Sequence, residues 1–89
     1  MKIYSMHAFQ NICFREVTKY YDDHKDKTDM VNADNFDVYM VWGVKELQNF
    51  KGLFSTTIPD GMYYELTYNG ETEELYLDAY KKWENIVIK

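Results

Sequence analysis

Two periodicities divide the chain. From Met6, apolar side chains recur at Phe9, Cys13, Val17 and Tyr20 in steps of three and four, with Ile12 and Tyr21 widening the stripe. Because about 3.6 residues complete a helical turn, these positions share one face of an α-helix, while Arg15, Glu16 and Lys19 fall on the other. Ser5 supplies an N-cap, its hydroxyl placed to accept from an otherwise unpaired first-turn amide. The helix should fade between Tyr21 and His24, where Asp and Lys begin to cluster. From Phe36 the period drops to two: Phe36, Val38, Met40, Trp42 and Val44 are all apolar, the mark of a strand with one buried face. Phe50 to Ile58, Met62 to Tyr68 and Glu74 to Leu77 read as three more strands.

The turns set the expected register. Pro59-Asp60-Gly61 suits a hairpin loop with Ile58 opposite Met62, Phe54 opposite Leu66 and Thr56 opposite Tyr64. A loop of Leu47, Gln48 and Asn49 sets Trp42 opposite Phe54 and Val38 opposite Ile58. For the last turn, a two-residue Asn69-Gly70 loop would oppose Glu65 to Glu74, a like-charge pair that costs stability. A loop from Asn69 to Thr72 sets Leu66 opposite Leu75 and Tyr64 opposite Leu77 instead, and is preferred. All three registers then agree on one apolar face: Val38, Met40, Trp42, Phe54, Ile58, Met62, Tyr64, Leu66, Leu75 and Leu77. A one-residue slip anywhere breaks that agreement.

The end of the chain admits two readings. Asp78 can cap a short helix in which Ala79, Tyr80, Trp83, Ile86 and Val87 share a face, and this is the one preferred. Asn85 to Ile88 is also a β-prone run able to continue or add a strand. Either way the expectation is a single α+β domain over residues 1–89: an N-terminal helix packed on a four-stranded antiparallel meander, with a possible short C-terminal helix.

Composition narrows the class. Of 89 residues 46% are hydrophobic and 18% aromatic, enough to close a core without staples. The single cysteine, Cys13, cannot form an internal disulfide and fits a reducing compartment. Apolar runs are too short to span a membrane, and the start of the chain lacks the apolar segment of a signal peptide. A net charge of −5 argues against a binder that relies on phosphate contacts. Charge is uneven, with six Asp against Lys25 and Lys27 in residues 22–37, which marks that stretch as the connector between helix and sheet.

Little in the chain points to catalysis. His24 lies among Asp22, Asp23 and Asp26, but the spacing matches no calcium loop, and successive helix-end residues diverge, so a solvated helix terminus is the better reading and no metal is expected. His7 falls in the first helical turn as a surface or boundary residue. Cys13 within the apolar stripe lacks the positive neighbour and the solvent access of a reactive thiolate. There is no phosphate-binding glycine loop, no zinc-type cysteine pair and no nucleophile elbow. No enzyme activity and no cofactor are expected.

The informative surface is the other face of the sheet. Tyr39, Thr57, Tyr63 and Asp78 are expected in one cross-strand row, Val41, Ser55, Glu65 and Tyr76 in the next, with Leu53 and Thr67 adjoining. Tyrosines offer rigid contact area with a polar tip, as protein-binding surfaces do. The same pairs can instead serve only to stabilise an exposed sheet. Glu71, Glu73 and Glu74 with Asp78 form an acidic turn that could imitate a phosphate backbone, although acidic clusters are commonly mere solvated surface. Bases stacking on the tyrosines would make a nucleic-acid module, which the acidic balance disfavours.

Val38-Tyr39-Met40-Val41-Trp42, Leu47-Gln48-Asn49, Leu53-Phe54-Ser55-Thr56-Thr57, Asp60-Gly61-Met62-Tyr63-Tyr64-Glu65, Thr67-Tyr68-Asn69-Gly70 and Tyr76-Leu77-Asp78-Ala79-Tyr80-Lys81-Lys82-Trp83 together resemble an uncharacterised family of small proteins from phages and prophages of Gram-positive bacteria. The resemblance covers about residues 36–88 and brings no established activity. What it implies is a setting, the bacterial host cytoplasm, where small acidic phage proteins often bind and block host proteins. The expected function is therefore a non-enzymatic inhibitor of a host protein, such as a counter-defence protein similar in style to anti-CRISPR proteins, with Tyr39, Tyr63, Glu65, Tyr76, Asp78 and the turn Glu71, Glu73 and Glu74 as contacts. The alternatives are a self-associating assembly protein, through the tyrosine face or a strand edge, and a single-stranded nucleic-acid module.

Overall fold

A computed structural model describes residues 2–24 and 36–88. Helix α1 spans Met6–His24, and four strands follow: β1 Val38–Glu46, β2 Asn49–Thr56, β3 Met62–Asn69 and β4 Glu74–Lys81. The strands pair antiparallel in chain order, β1-β2-β3-β4, so the expected helix-on-meander α+β architecture is the one found. Most of the acidic connector, including Asp26, lies outside the described residues.

Local chemistry sets the elements. Ser5 caps α1, its Oγ accepting from the Ala8 amide at 3.1 Å. Phe9, Cys13, Val17 and Tyr21 are the buried positions of α1, an i, i+4 stripe. At the other end, Nδ1 of His24 sits 2.8 Å from the Tyr20 carbonyl, an acceptor only, so that nitrogen donates to a helix-end group that would otherwise go unpaired. Between β2 and β3, Oδ1 of Asp60 accepts from the Met62 amide at 3.0 Å, and Gly61 takes a φ of +72°. The last turn is held by Oδ1 of Asn69, which accepts from the Glu71 amide at 2.9 Å.

The core lies between α1 and one sheet face. Phe9 stacks on Phe50 with ring centroids 5.3 Å apart and tilts against Phe54 at 6.2 Å, while Phe14 meets Phe54 edge-on at 5.8 Å. Gly52 makes this approach possible: a Cβ there would stand 2.8 Å from the Phe54 ring and 3.3 Å from Phe9. Tyr64, Leu66 and Tyr68 complete the layer, and Ile3, ahead of the helix, closes one end with its amide 3.3 Å from the Tyr68 hydroxyl.

Three expectations need correction. The β2–β3 and β3–β4 pairs are each two residues away from the expected register: Phe54 faces Tyr64 rather than Leu66, and Leu66 faces Leu77 rather than Leu75. Side chains alternate with a period of two, so the buried face survives both shifts. The β1–β2 error is different in kind. Pairing runs Met40 with Phe54 and then Trp42 with Leu53, leaving Val41 unpaired as a β-bulge. Beyond the bulge the phase inverts. Gly43 is the helix-side position, where a Cβ would meet the Met40 sulfur at 2.7 Å and the Met6 methyl at 3.5 Å. Trp42 and Val44, expected in the core, face away from α1, and Trp42 is 43% exposed. Finally, the expected C-terminal helix is absent. Residues 74–81 are strand β4, and 82–88 have no regular structure. Leu75, Leu77 and Ala79 alternate inward against β3, and that ladder satisfies the backbone groups a helix would otherwise have to satisfy.

Candidate functional site: the outer face of the sheet

Since α1 covers one side, the opposite side of the meander is the one that no described element covers, although Ser55 on it is buried, its hydroxyl donating to the Met62 carbonyl at 2.9 Å. The registers define three rows there. Tyr39, Ser55, Tyr63 and Tyr80 form the first; Trp42, Leu53, Glu65 and Asp78 the second; Val44, Lys51, Thr67 and Tyr76 the third. The bulged Val41 is exposed beside Trp42. Tyr39, Tyr63, Glu65, Tyr76 and Asp78, the expected contact residues of the strands, all lie on this face, though Tyr63 shares a row with Tyr80 rather than Asp78. The bulge delivers Trp42 and Val44 to the same surface, two residues that the period-two reading had assigned to the core.

The electrostatics of the face are specific. Nζ of Lys51 lies 3.5 Å from Oε1 of Glu65 across the β2–β3 pair. The Tyr76 hydroxyl donates to Oε2 of Glu74 at 2.8 Å, and that bond raises the Tyr76 phenol above its ordinary value. With Lys51 engaged, Glu65 and Asp78 in the middle row and Glu74 beside Tyr76 give the face an acidic balance among its apolar and aromatic side chains. The acidic turn is less free than its sequence suggests. Glu73 takes a φ of +57° and its carboxylate sits 3.9 Å from Nζ of Lys2, while Glu71 is held by its backbone to Asn69.

The remaining chemistry-bearing residues stand apart. Cys13 is fully buried against the sheet, and burial, with the nearby Glu16 carboxylate, pushes its thiol up to about 12. Its role is packing. His24 stacks on Tyr20 at 4.0 Å, and His7 pairs with Asn11. Among the described residues no three His, Cys, Asp or Glu side chains converge as metal ligands, and no helix is long and apolar enough to cross a membrane.

The comparison with known families gives a membership without an activity. Residues 10–89 match the model of a family of unknown function, DUF6275, and the chain belongs to that family. The match takes in most of α1 as well as the whole sheet, so it extends well ahead of residue 36, where the sequence resemblance begins. Neither a curated protein nor a solved structure matches the chain.

Proposed function

We propose that this chain is a non-enzymatic protein of phage or prophage type, acting in the cytoplasm of a bacterial host, that binds and inhibits a host protein through the outer face of its sheet. The observation that carries this reading is the set of half-exposed large side chains on the two outer strands, Tyr39, Trp42 and Val44 on β1 and Tyr76 and Tyr80 on β4, with Leu53 and Tyr63 between them, on a face that no described element covers. Isolated exposed apolar residues need no explanation, but a set spread across one sheet face that includes an indole and several phenols has the composition of an interface. The carboxylates of Glu65, Asp78 and Glu74 among them favour a partner surface that carries basic groups, which sets orientation and speeds encounter. A partner protein with such a surface, blocked at its own nucleic-acid or substrate site, is the kind of target a counter-defence inhibitor engages.

The test is capture from a host lysate with the intact chain, followed by an activity assay on the captured protein. Trp42→Ala combined with Tyr76→Ala should release the partner while circular dichroism reports an unchanged fold. Tyr4→Ala, at an exposed site ahead of α1, should retain it. A partner held equally by all three proteins, or one whose activity is unaffected, removes the proposal.

A further inference from the structure

The outer face is not the only uncovered apolar feature. Past β4 the chain carries Trp83, Ile86, Val87 and Ile88 in an irregular stretch, with Trp83 90% and Ile88 91% exposed. Beside it, β4 is the last strand of the sheet and, among the described residues, pairs only with β3. Lys82 donates its amide to the Gly61 carbonyl at 2.7 Å, so the alternation of an antiparallel ladder turns the even-numbered amides of β4 toward β3. The amides of Leu75, Leu77, Ala79 and Lys81 therefore point out from the sheet edge. A free edge next to an exposed β-prone tail is a pairing surface.

We infer that two copies of this chain join β4 to β4 about a two-fold axis at Tyr80, with the tail of each copy extending the other's edge and its Trp83 seated between α1 and β4 of the partner copy. Register and charge select this arrangement. Opposed residues must share a sheet face, which leaves registers centred on a single residue. Centring on Asp78, Lys81 or Lys82 opposes a charge to itself, and centring on Ala79 opposes Glu74 to Glu84. Centring on Leu77 leaves the tail out, and centring on Trp83 opposes that indole to itself and takes it away from Leu77 and the groove beside it. Centring on Tyr80 opposes Asp78 to Lys82 twice, Tyr76 to Glu84 and Leu77 to Trp83, with no like charges facing.

A receiving site for the indole exists. Leu77 lies on the helix side of the sheet, and next to it opens a groove of about 260 Å³ lined by Glu16, Lys19, Tyr20, Asp23, His24 and Leu77. In the Tyr80-centred register Trp83 projects onto this same side, opposite Leu77. Glu16 and Asp23 outnumber Lys19 on the groove wall and complement Lys81, which lies on the same side of the sheet as the incoming indole. The product is a continuous eight-stranded sheet with both helices on one side; Tyr76, Asp78 and Tyr80 line the new seam, whereas Tyr39, Trp42 and Val44 on β1 stay clear of it, and the pairing does not rest on the docking reading above.

Analytical ultracentrifugation of the full chain from micromolar to millimolar concentration tests the dimer. The sedimenting mass should rise from 10.7 kDa toward twice that value. Lys82→Glu should weaken association by about tenfold or more, since it sets two acidic pairs face to face. Asp78→Lys together with Lys82→Glu should restore it. In a Trp42→Phe background, Trp83 emission should shift to the blue as the dimer forms. A monomer across the whole range, or a dimer indifferent to both the single and the swapped substitutions, overturns the inference.

Discussion

Trp42 stands opposite Leu53, one residue out of step with Met40 opposite Phe54, and that offset governs what the sheet shows to solvent. Without it, the indole would point at α1, into the space that Met40 and Met6 occupy beside Gly43. With it, the widest side chain of β1 joins the tyrosines. The two aromatic residues should therefore respond differently to truncation. Phe54→Ala empties the centre of the core and should cost about 3–5 kcal/mol in urea unfolding. Trp42→Thr, a strand-compatible change on the open face, should stay within about 1 kcal/mol.

Close packing at Gly52 gives a second expectation. A side chain there meets Phe54 and Phe9, both buried and fixed by their ring contacts. Gly52→Val should cost about 1–3 kcal/mol despite the better strand propensity of valine, because neither ring has room to withdraw. Equilibrium denaturation settles the sign: a stabilised variant contradicts the packing described.

Alkaline pH should expose the buried acids of the core. Cys13 ionises at about 12 in the fold instead of 9.0, and Tyr64 at about 12 instead of 10.0, each chiefly because burial disfavours the charged form. The unfolded chain therefore loses these protons first. The contribution of these two groups to stability should be constant through neutral pH, begin to fall above about 9 and keep falling to about 12. Cys13→Ala should remove the part of the decline that starts nearest pH 9. In the native wild type, Cys13 should react with a thiol reagent only as fast as the protein opens.

The carboxylates of the outer face lead to a kinetic prediction. Glu65→Gln with Asp78→Asn should slow association with the captured host partner at low salt and change it little at high salt, where screening has already removed the attraction. Stopped-flow binding at two ionic strengths distinguishes this from a packing role, which would alter dissociation at both.

How much of this was legible in the sequence follows from where each signal resides. The helix was legible because Phe9, Cys13 and Val17 recur with its period and Ser5 stands where a cap belongs. The strand faces of β2, β3 and β4 were legible even though two registers were not, since a two-residue error leaves Phe54, Tyr64, Leu66 and Leu77 on the side where they started. Turn positions failed because Leu47 and Glu73 adopt positive φ, a conformation that sequence reasoning assigns to Gly or Asn. The bulge was hidden for a different reason. Val38 to Trp42 are apolar or aromatic at every position and Gly43 carries no side chain, so the segment fits either phase equally well. The lost C-terminal helix reflects a tertiary choice, in which Leu75, Leu77 and Ala79 gain a sheet partner that local propensity could not reveal.

The claim on which the rest depends is that the side of the meander opposite α1 is both open and used for binding. Hydroxyl-radical footprinting read by mass spectrometry, on the free chain and on the chain bound to its captured partner, addresses both halves at once. Tyr39, Trp42 and Tyr76 should label readily in the free chain and become protected in the complex, while Phe9, Phe50 and Phe54 stay unlabelled in both. Unlabelled Trp42 in the free chain, or equal labelling of the three outer residues with and without the partner, would contradict the account.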